Sequence, residues 1–370
     1  MAELDEYRPE VVPEPFGLQN TGVICYFNSL LQALASCSAV ARAVRAHRAD
    51  LGRSRTGAAL CEFVDGYVGA DGARRAPAPN IGGASARLLA ALSADLKERR
   101  PRVRFAAGQE DAAEGLVHLL DMLDAPQAPS VPGELEAPGT PQAQGANARP
   151  TNAVAALFHS RTQCTVECLR CRHKTAPTAD TAYIVEAHHM DLLPAPPATA
   201  AEFAAALHTH TLPVSDYRCE KCGTPAAQPA AAPGAVTAHR RYDLVMASEI
   251  IACTFNRYAG RGRPRPVPPR IEFPGAGGAP PLVYELVAQV EHAGALSGGH
   301  YWARARRASS GTPGGTPSTP GGTPSTPGAP SAVYELNDSS AAPSAWLSPS
   351  PFTFIAVYHY VGRGAAPNSG

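Results

Sequence analysis

In the run that begins at Cys25, the apolar residues Phe27, Leu30, Leu31 and Leu34 recur at i, i+3, i+4 and i+7, which predicts an amphipathic helix. Cys25 then stands at its N-terminus. Leu116, Leu119, Leu120 and Leu123 repeat the spacing after Gly108, with Asp111 and Glu114 early, where acid complements the helix dipole. The C-terminal third changes period. Tyr284, Leu286, Ala288 and Val290 alternate with Glu285 and Gln289, and Phe352 to Tyr360 alternates too, which predicts half-buried strands. Helices early and strands late make an α+β chain.

Between these segments lie stretches without periodicity. Ala125 to Pro150 is rich in Pro, Ala, Gly and Gln, and Ser309 to Pro330 holds a tandem Gly-Gly-Thr-Pro-Ser-Thr-Pro from Gly314; both read as flexible linkers or loops. Shorter Pro/Ala runs, Pro194 to Ala200 and Pro225 to Pro233, flank a cysteine-bearing segment. Arg257, Arg261, Arg263, Arg265 and Arg270 are interleaved with Pro. With Tyr258 the one aromatic residue beside them, a solvated polyproline-like loop is favoured over a nucleic-acid contact.

The 370 residues suit one large domain or two ordinary ones, and 44% hydrophobic against 17% charged residues excludes a disordered polyelectrolyte. Lys+Arg at 32 cancels Asp+Glu at 32, so no net field draws the chain to nucleic acid or an anionic membrane. Met1 to Glu10 has no apolar run, and no stretch reaches the ~18–20 apolar residues of a membrane span. The expectation is a soluble intracellular monomer, cytoplasmic and/or nuclear. Only Lys97, Lys174 and Lys221 among the 32 basic residues are lysine; with abundant Ala, Gly and Pro, this is the usage of a GC-rich genome, such as that of a large DNA virus.

Nine cysteines, an odd set in a long chain, point to catalysis or metal ligation rather than a disulfide framework. Cys168-x-x-Cys171 and Cys219-x-x-Cys222 are separated by 47 residues, and four thiolates in two such pairs suit a structural Zn²⁺, with Cys164 a spare. A thiol at a helix N-terminus meets backbone N–H groups that lower its pKa, so Cys25 is a candidate nucleophile. Taken alone, a buried structural cysteine is the more common reading.

Gly17-Leu18-Gln19-Asn20-Thr21-Gly22-Val23-Ile24-Cys25-Tyr26-Phe27-Asn28-Ser29-Leu30-Leu31-Gln32 resembles the cysteine box of the ubiquitin-specific proteases. His292-Ala293-Gly294 with Ser297-Gly298-Gly299-His300-Tyr301 resembles the family's histidine box, and Tyr334 to Ser339 its Asn/Asp element. Gly108-Gln109-Glu110-Asp111 resembles the Gln-Gln-Asp box, and Ser248 to Tyr258 the palm strand. The resemblance spans roughly residues 17 to 360.

It implies a papain-like fold of thumb, palm and fingers, with a zinc-ribbon-like fingers subdomain. Residues 1–16 would be a lead and 17–370 the catalytic domain: thumb 17–124, linker 125–150, mainly fingers 151–258, and mainly palm 259–370 with the insert 309–330. The implied activity is a thiol-dependent deubiquitinase that hydrolyses bonds at the C-terminal glycine of ubiquitin. Ubiquitin and ubiquitinated proteins are the implied partners, with no nucleic acid or membrane. Cys25 is the nucleophile, His300 the base and Asn337 the orienting group, assisted by Asp338. Asn20 serves the oxyanion hole, or shapes an Asx-turn, or both. Gln109, Asp111, Glu114, His292 and Tyr301 contact substrate; for Asp111 and Glu114 a dipole-complementing first turn is the alternative. The chain departs from the family at Val23 and Ile24, Glu110, Ala113, Gly115 and Tyr258. A weak ubiquitin-binding scaffold and a protease for another ubiquitin-like modifier are the competing readings.

Overall fold

The computed structural model describes residues 15–68, 81–105, 108–124, 152–193, 195–223, 236–255, 266–295, 298–308 and 331–364. Both long low-complexity stretches, Pro194, Pro225 to Pro233, Ser297, Arg257, Tyr258 and three further arginines of the Arg/Pro run lie outside them. Arg270 is described, exposed, and pairs with Glu272 at 3.0 Å.

The chain opens with α1 (Cys25–Leu34), α2 (Ser38–Ala46), α3 (Arg48–Leu51), α4 (Arg55–Tyr67), α5 (Ala84–Arg99), α6 (Ala112–Asp124) and α7 (Ala153–Ala156). Strands follow: β1 (Ser160–Cys168), β2 (Thr178–Ala182) and β3 (Ile184–Glu186), then α8 (Ala200–His208). Next come β4 (Thr209–Ser215), β5 (Val236–Met246), β6 (Ile250–Thr254), β7 (Arg270–Phe273), β8 (Leu282–Ala295), β9 (Gly298–Ala308), β10 (Ser331–Asn337), β11 (Ser340–Ser344) and β12 (Thr353–Arg363). No helix among the described residues is long and apolar enough to cross a membrane.

Two sheets result. The small antiparallel one runs β2-β1-β5-β4; the large one runs β11-β10-β9-β8-β12-β6-β3, with β7 on β8. The segment 151–258 therefore divides between them, because β3 and β6 join the large sheet.

The N-terminal helices bury Leu30, Leu88, Leu116 and their neighbours against Ala288, Ala303 and Ile355 of the large sheet. Phe203 and Leu207 of α8 pack with Ile251, Phe273 and Tyr358 in a second cluster. Covered on both faces, β12 is buried from Thr353 to Tyr360, so the half-buried strand expected there is a core strand instead. α1 departs likewise: all ten of its residues are buried.

α1 lies along β9. Near its N-terminus is Tyr301; at its C-terminus the buried Arg307 donates to the carbonyls of Ala35 at 2.9 Å and Gln32 at 3.1 Å. The Gln32 carbonyl also accepts from Ser36 Oγ at 2.7 Å, and a cation suits that pole of the helix. Six strand residues rise ~20 Å and ten helical residues ~15 Å, so anchoring Arg307 sets Cys25 level with the start of β9.

Candidate active site

Three segments converge on the N-terminus of α1. The loop before it runs along the β10–β11 turn: Leu18 N–H donates to the Asp338 carbonyl at 2.6 Å, and a Cβ on Gly17 would overlap the Ser339 carbonyl. Asp338 makes that turn with φ 46°, a left-handed conformation that Asp tolerates better than most residues. Its carboxylate accepts from Asn20 Nδ2 at 3.0 Å and Asn28 Nδ2 at 2.9 Å. Asn20 Oδ1 in turn accepts from the N–H groups of Gly22 at 3.2 Å and Ile24 at 3.4 Å. The Asx-turn thus exists, and the amide that would serve an oxyanion is tethered to Asp338.

His300 lies at the start of β9, and its Nε2 meets Asn337 Oδ1 at 2.7 Å. Asn337 rather than Asp338 therefore faces the imidazole, and Nδ1 remains for the thiol side. The Tyr301 backbone lies close enough to the Cys25 thiol to favour its charged form. The thiol's side-chain partner is Gln109 Nε2 at 3.8 Å, not His300. The same Gln109 amide donates to the Gly299 carbonyl and accepts from Gly299 N–H at 3.3 Å, so it spans the cleft between α6 and the β8–β9 hairpin.

The thiol itself departs from expectation. Burial pushes Cys25 above its ordinary value and the Asp338 charge adds to the rise, while the backbone groups of Tyr301, Tyr26 and Cys25 act the other way without cancelling it. Cys25 is 5% exposed, and at that burial desolvation outweighs the pull of the helix terminus. Burial so favours the protonated form of the Cys25 thiol.

His292 and Tyr301 face each other across the β8–β9 ladder with rings 4.3 Å apart, both buried. A Cβ on Gly299 would strike the His292 ring, so this pair supports the hairpin from inside. Burial lowers the His292 imidazole, and His300 acts in the same direction. Asp111 caps α6, its carboxylate accepting from Ala113 N–H at 2.7 Å and Glu114 N–H at 3.1 Å. Glu114 is half-exposed and reaches His118 at 3.3 Å.

At the far end of the small sheet, the sulfurs of Cys168 and Cys222 are 3.8 Å apart, those of Cys171 and Cys219 3.5 Å, and all four lie within 4.8 Å. Around one tetrahedral ion at ~2.3 Å, four sulfurs stand about 3.8 Å from one another. Both Cys-x-x-Cys turns close alike, Arg172 N–H on the Cys168 carbonyl and Gly223 N–H on that of Cys219. Backbone groups of Cys171 and Arg170 hold Cys168 down to about 7, and those of Cys222 and Lys221 lower Cys219. This donor set can hold a metal ion.

The family model described as ubiquitin carboxyl-terminal hydrolase matches residues 16–345. The chain belongs to that family. Its enzyme class is therefore that of the thiol-dependent ubiquitin hydrolases, which are cysteine peptidases. No curated protein matches the sequence. Among solved structures, the SAGA DUB module Ubp8/Sgf11/Sus1/Sgf73 bound to monoubiquitin contains a chain of TM-score 0.61 at 16% identity, covering 94% of this chain and 70% of that one. The same module bound to ubiquitin aldehyde gives 0.62 at 15%, covering 96% and 72%. The yeast SAGA DUB module with an Sgf73 mutant gives 0.63 at 16%, covering 96% and 71%. At these identities the likeness is one of fold.

Against the hydrolase pattern, Gly115 stands where the family usually has Phe, and here Phe105 fills the space: its ring lies 3.6 Å from where a Gly115 Cβ would be and edge-on to Tyr26. Asn28 joins the site as well, outside the residues that the motifs single out. Its signal was present: a polar side chain three positions after Cys25 shares that helix face, and it donates to Asp338. The described residues so assemble Cys25, Asn20, Gln109, His300, Asn337 and Asp338 in one cleft, and leave His292 and Tyr301 beneath it.

Proposed function

We propose that this chain is a deubiquitinating thiol protease that hydrolyses the bond between the C-terminal glycine of ubiquitin and an amine, with Cys25 as nucleophile and His300 as its base. The observation that carries this reading is the 2.7 Å contact of His300 Nε2 with Asn337 Oδ1, on a strand whose next residue has its backbone close to the Cys25 thiol. A hydrogen bond at Nε2 fixes the tautomer and leaves Nδ1 to accept the thiol proton. Because burial favours the protonated thiol, proton transfer to Nδ1 accompanies attack of sulfur on the glycine carbonyl carbon. The carbonyl electrons move to oxygen, where Asn20, turning its amide from Asp338, and the backbone N–H of Cys25 would receive them. The C–N bond then breaks, the Nδ1 proton goes to the departing amine, and water deprotonated by the same imidazole releases the acyl group.

Gln109 lies where a Gly-Gly tail would pass, and its amide occupies the Gly299 N–H and C=O that an extended peptide would pair with. Substrate entry therefore displaces it. The four thiolates of Cys168, Cys171, Cys219 and Cys222 would hold Zn²⁺ as a structural ion, supplying folding free energy to the small sheet and taking no part in the chemistry.

Ubiquitin carrying a thiol-reactive group at its C-terminus tests the reading: it should add to Cys25 in the intact chain and not to Cys25→Ala. Labelling that persists in Cys25→Ala refutes it. The raised thiol, bonded to Gln109, favours one second reading, a ubiquitin-binding scaffold of low turnover. That version binds ubiquitin without consuming the probe. Probes built on related modifiers separate ubiquitin from its relatives.

A further inference from the structure

The imidazole of His300 has an aromatic neighbour that the reaction does not call for. Trp302 follows it on the same face of β9, with ring centroids 6.2 Å apart and planes within 18°. Phe352 continues the surface, 5.7 Å from Trp302. Trp302 is partly exposed and Phe352 is 39% exposed. The main chain of Phe352 is fixed: its N–H donates to Ser350 Oγ at 3.1 Å and its carbonyl accepts from His292 N–H at 2.8 Å. Ser350 is itself buried and donates to the buried carboxylate of Glu291 at 3.0 Å. Further along the face the residues are charged and paired, Arg304 with Glu335 and Arg306 with Glu285. Among the described residues, the apolar shelf is confined to the two rings beside His300.

We infer that Trp302 and Phe352 form the subsite for the leaving side of the substrate, receiving an apolar side chain next to the lysine whose amine departs. This rests on the thiol-protease reading above. The ubiquitin tail is to lie between Gln109 and Gly299, so that side of the thiol is occupied. The group that receives the proton from His300 is the departing amine, and the residues attached to that amine come to lie on whatever surface adjoins the imidazole. Flat rings with few rotatable bonds offer large apolar contact at little entropic cost, and a lysine stem can lie along the same rings. The occupant is accordingly the acceptor polypeptide, and the shelf ranks acceptors by the residues flanking the modified lysine.

Two substrates test this: ubiquitin joined to the lysine ε-amine of a peptide with leucine on each side, and the same conjugate with glycine on each side. The intact chain should favour the leucine conjugate about tenfold in kcat/KM, the scale set by burying one apolar side chain. Phe352→Ser and Trp302→Ala should bring the ratio towards one, and Trp302→Phe, which keeps a flat ring, should retain most of it. Because the readout is a ratio, a general loss of fold or of activity does not imitate the result. Equal rates on the two conjugates in the intact chain, or a preference that survives both substitutions, overturns the shelf while leaving the protease reading standing. A chain that cleaves neither conjugate and leaves the ubiquitin probe unreacted overturns both.

Discussion

Asn337 and Asp338 are neighbours in sequence and do different work, which separate substitution should expose. Asn337→Ala removes the acceptor at 2.7 Å from His300 Nε2. A hydrogen bond to a group that becomes cationic is worth about 1.5–3 kcal/mol, so kcat/KM on a ubiquitin C-terminal substrate should fall roughly 10- to 160-fold. Asn337→Asp keeps an acceptor and should stay near wild type. Asp338→Ala leaves that contact alone but strips the carboxylate from Asn20 and Asn28 at 3.0 and 2.9 Å. Asn28 is 1% exposed and retains only the Gln19 carbonyl at 3.4 Å, so about 1–3 kcal/mol of stability should go, read as a lower Tm. The lost negative charge should also lower the Cys25 pKa, since Asp338 raises it. Iodoacetamide alkylation of Cys25 followed against pH should then rise at a lower pH in Asp338→Ala and not in Asn337→Ala. If Asp338→Ala abolishes turnover at an unchanged Tm while Asn337→Ala stays active, the assignment of the orienting group is wrong.

Elemental analysis of protein purified under reducing conditions should find about one Zn²⁺ per chain, and Cys219→Ser should lose it together with protection of the small sheet from hydrogen exchange; metal-free wild type would refute the site. His189 stacks on His210 at 3.6 Å, with Glu186 and Asp243 beside His210 and His188 beside His189. Burial, then the His210 charge, lowers His189 to about 4. Between that value and the unfolded ~6.5, the unfolded chain binds a proton that the folded one does not, so stability is full above ~6.5 and falls as pH drops towards 4. His189→Phe should flatten that fall; an equal loss of Tm between pH 7.5 and 5 in both proteins would count against it.

Much of the site was legible because its motifs are local. The boxes around Cys25, His300 and Asn337 and each Cys-x-x-Cys pair are short runs legible through their resemblance to a family; the structure joins His300 to Asn337 and gathers the four cysteines, while Gln109 and not His300 meets the Cys25 thiol. What the sequence hid depends on distant cover. Burial of α1 on every side requires β9 and Arg307, hundreds of residues away, and that burial reverses the expected shift of the Cys25 thiol. The two-sided burial of β12 needs α8, a short helix that follows directly on a Pro/Ala run. A local sign existed there: Thr199 and Glu202 make a capping box, Glu202 N–H donating to Thr199 Oγ1 at 3.2 Å and Thr199 N–H to Glu202 Oε2 at 3.2 Å. Nothing in the Asn337-Asp338 pair said which would face the imidazole, because that is decided by the turn that puts Asp338 at positive φ.

The insert between His300 and Asn337 is where sequence and structure combine into a further test. Residues 309–330 separate β9 from β10, yet Ala308 and Ser331 are partners in the ladder, followed by five more pairs down to Ala303 and Leu336. The ends to be joined are already adjacent, so a two-residue Asn-Gly turn in place of the 22 residues Ser309 to Pro330 should close the hairpin. Closure entropy changes by ~0.6 kcal/mol per doubling of loop length, so shortening 22 residues to two should add up to ~2 kcal/mol of stability. The catalytic pair should not register the change: Ala308 is eight residues along β9 from His300, ~25 Å at strand rise, and the ladder pairs between hold the register. Expected are an unchanged or higher Tm and a kcat/KM within about twofold of wild type. A shortened chain with intact Tm and a large loss of kcat would show that the insert acts on the site itself, and the ladder alone would no longer suffice to hold His300 opposite Asn337 in its working position.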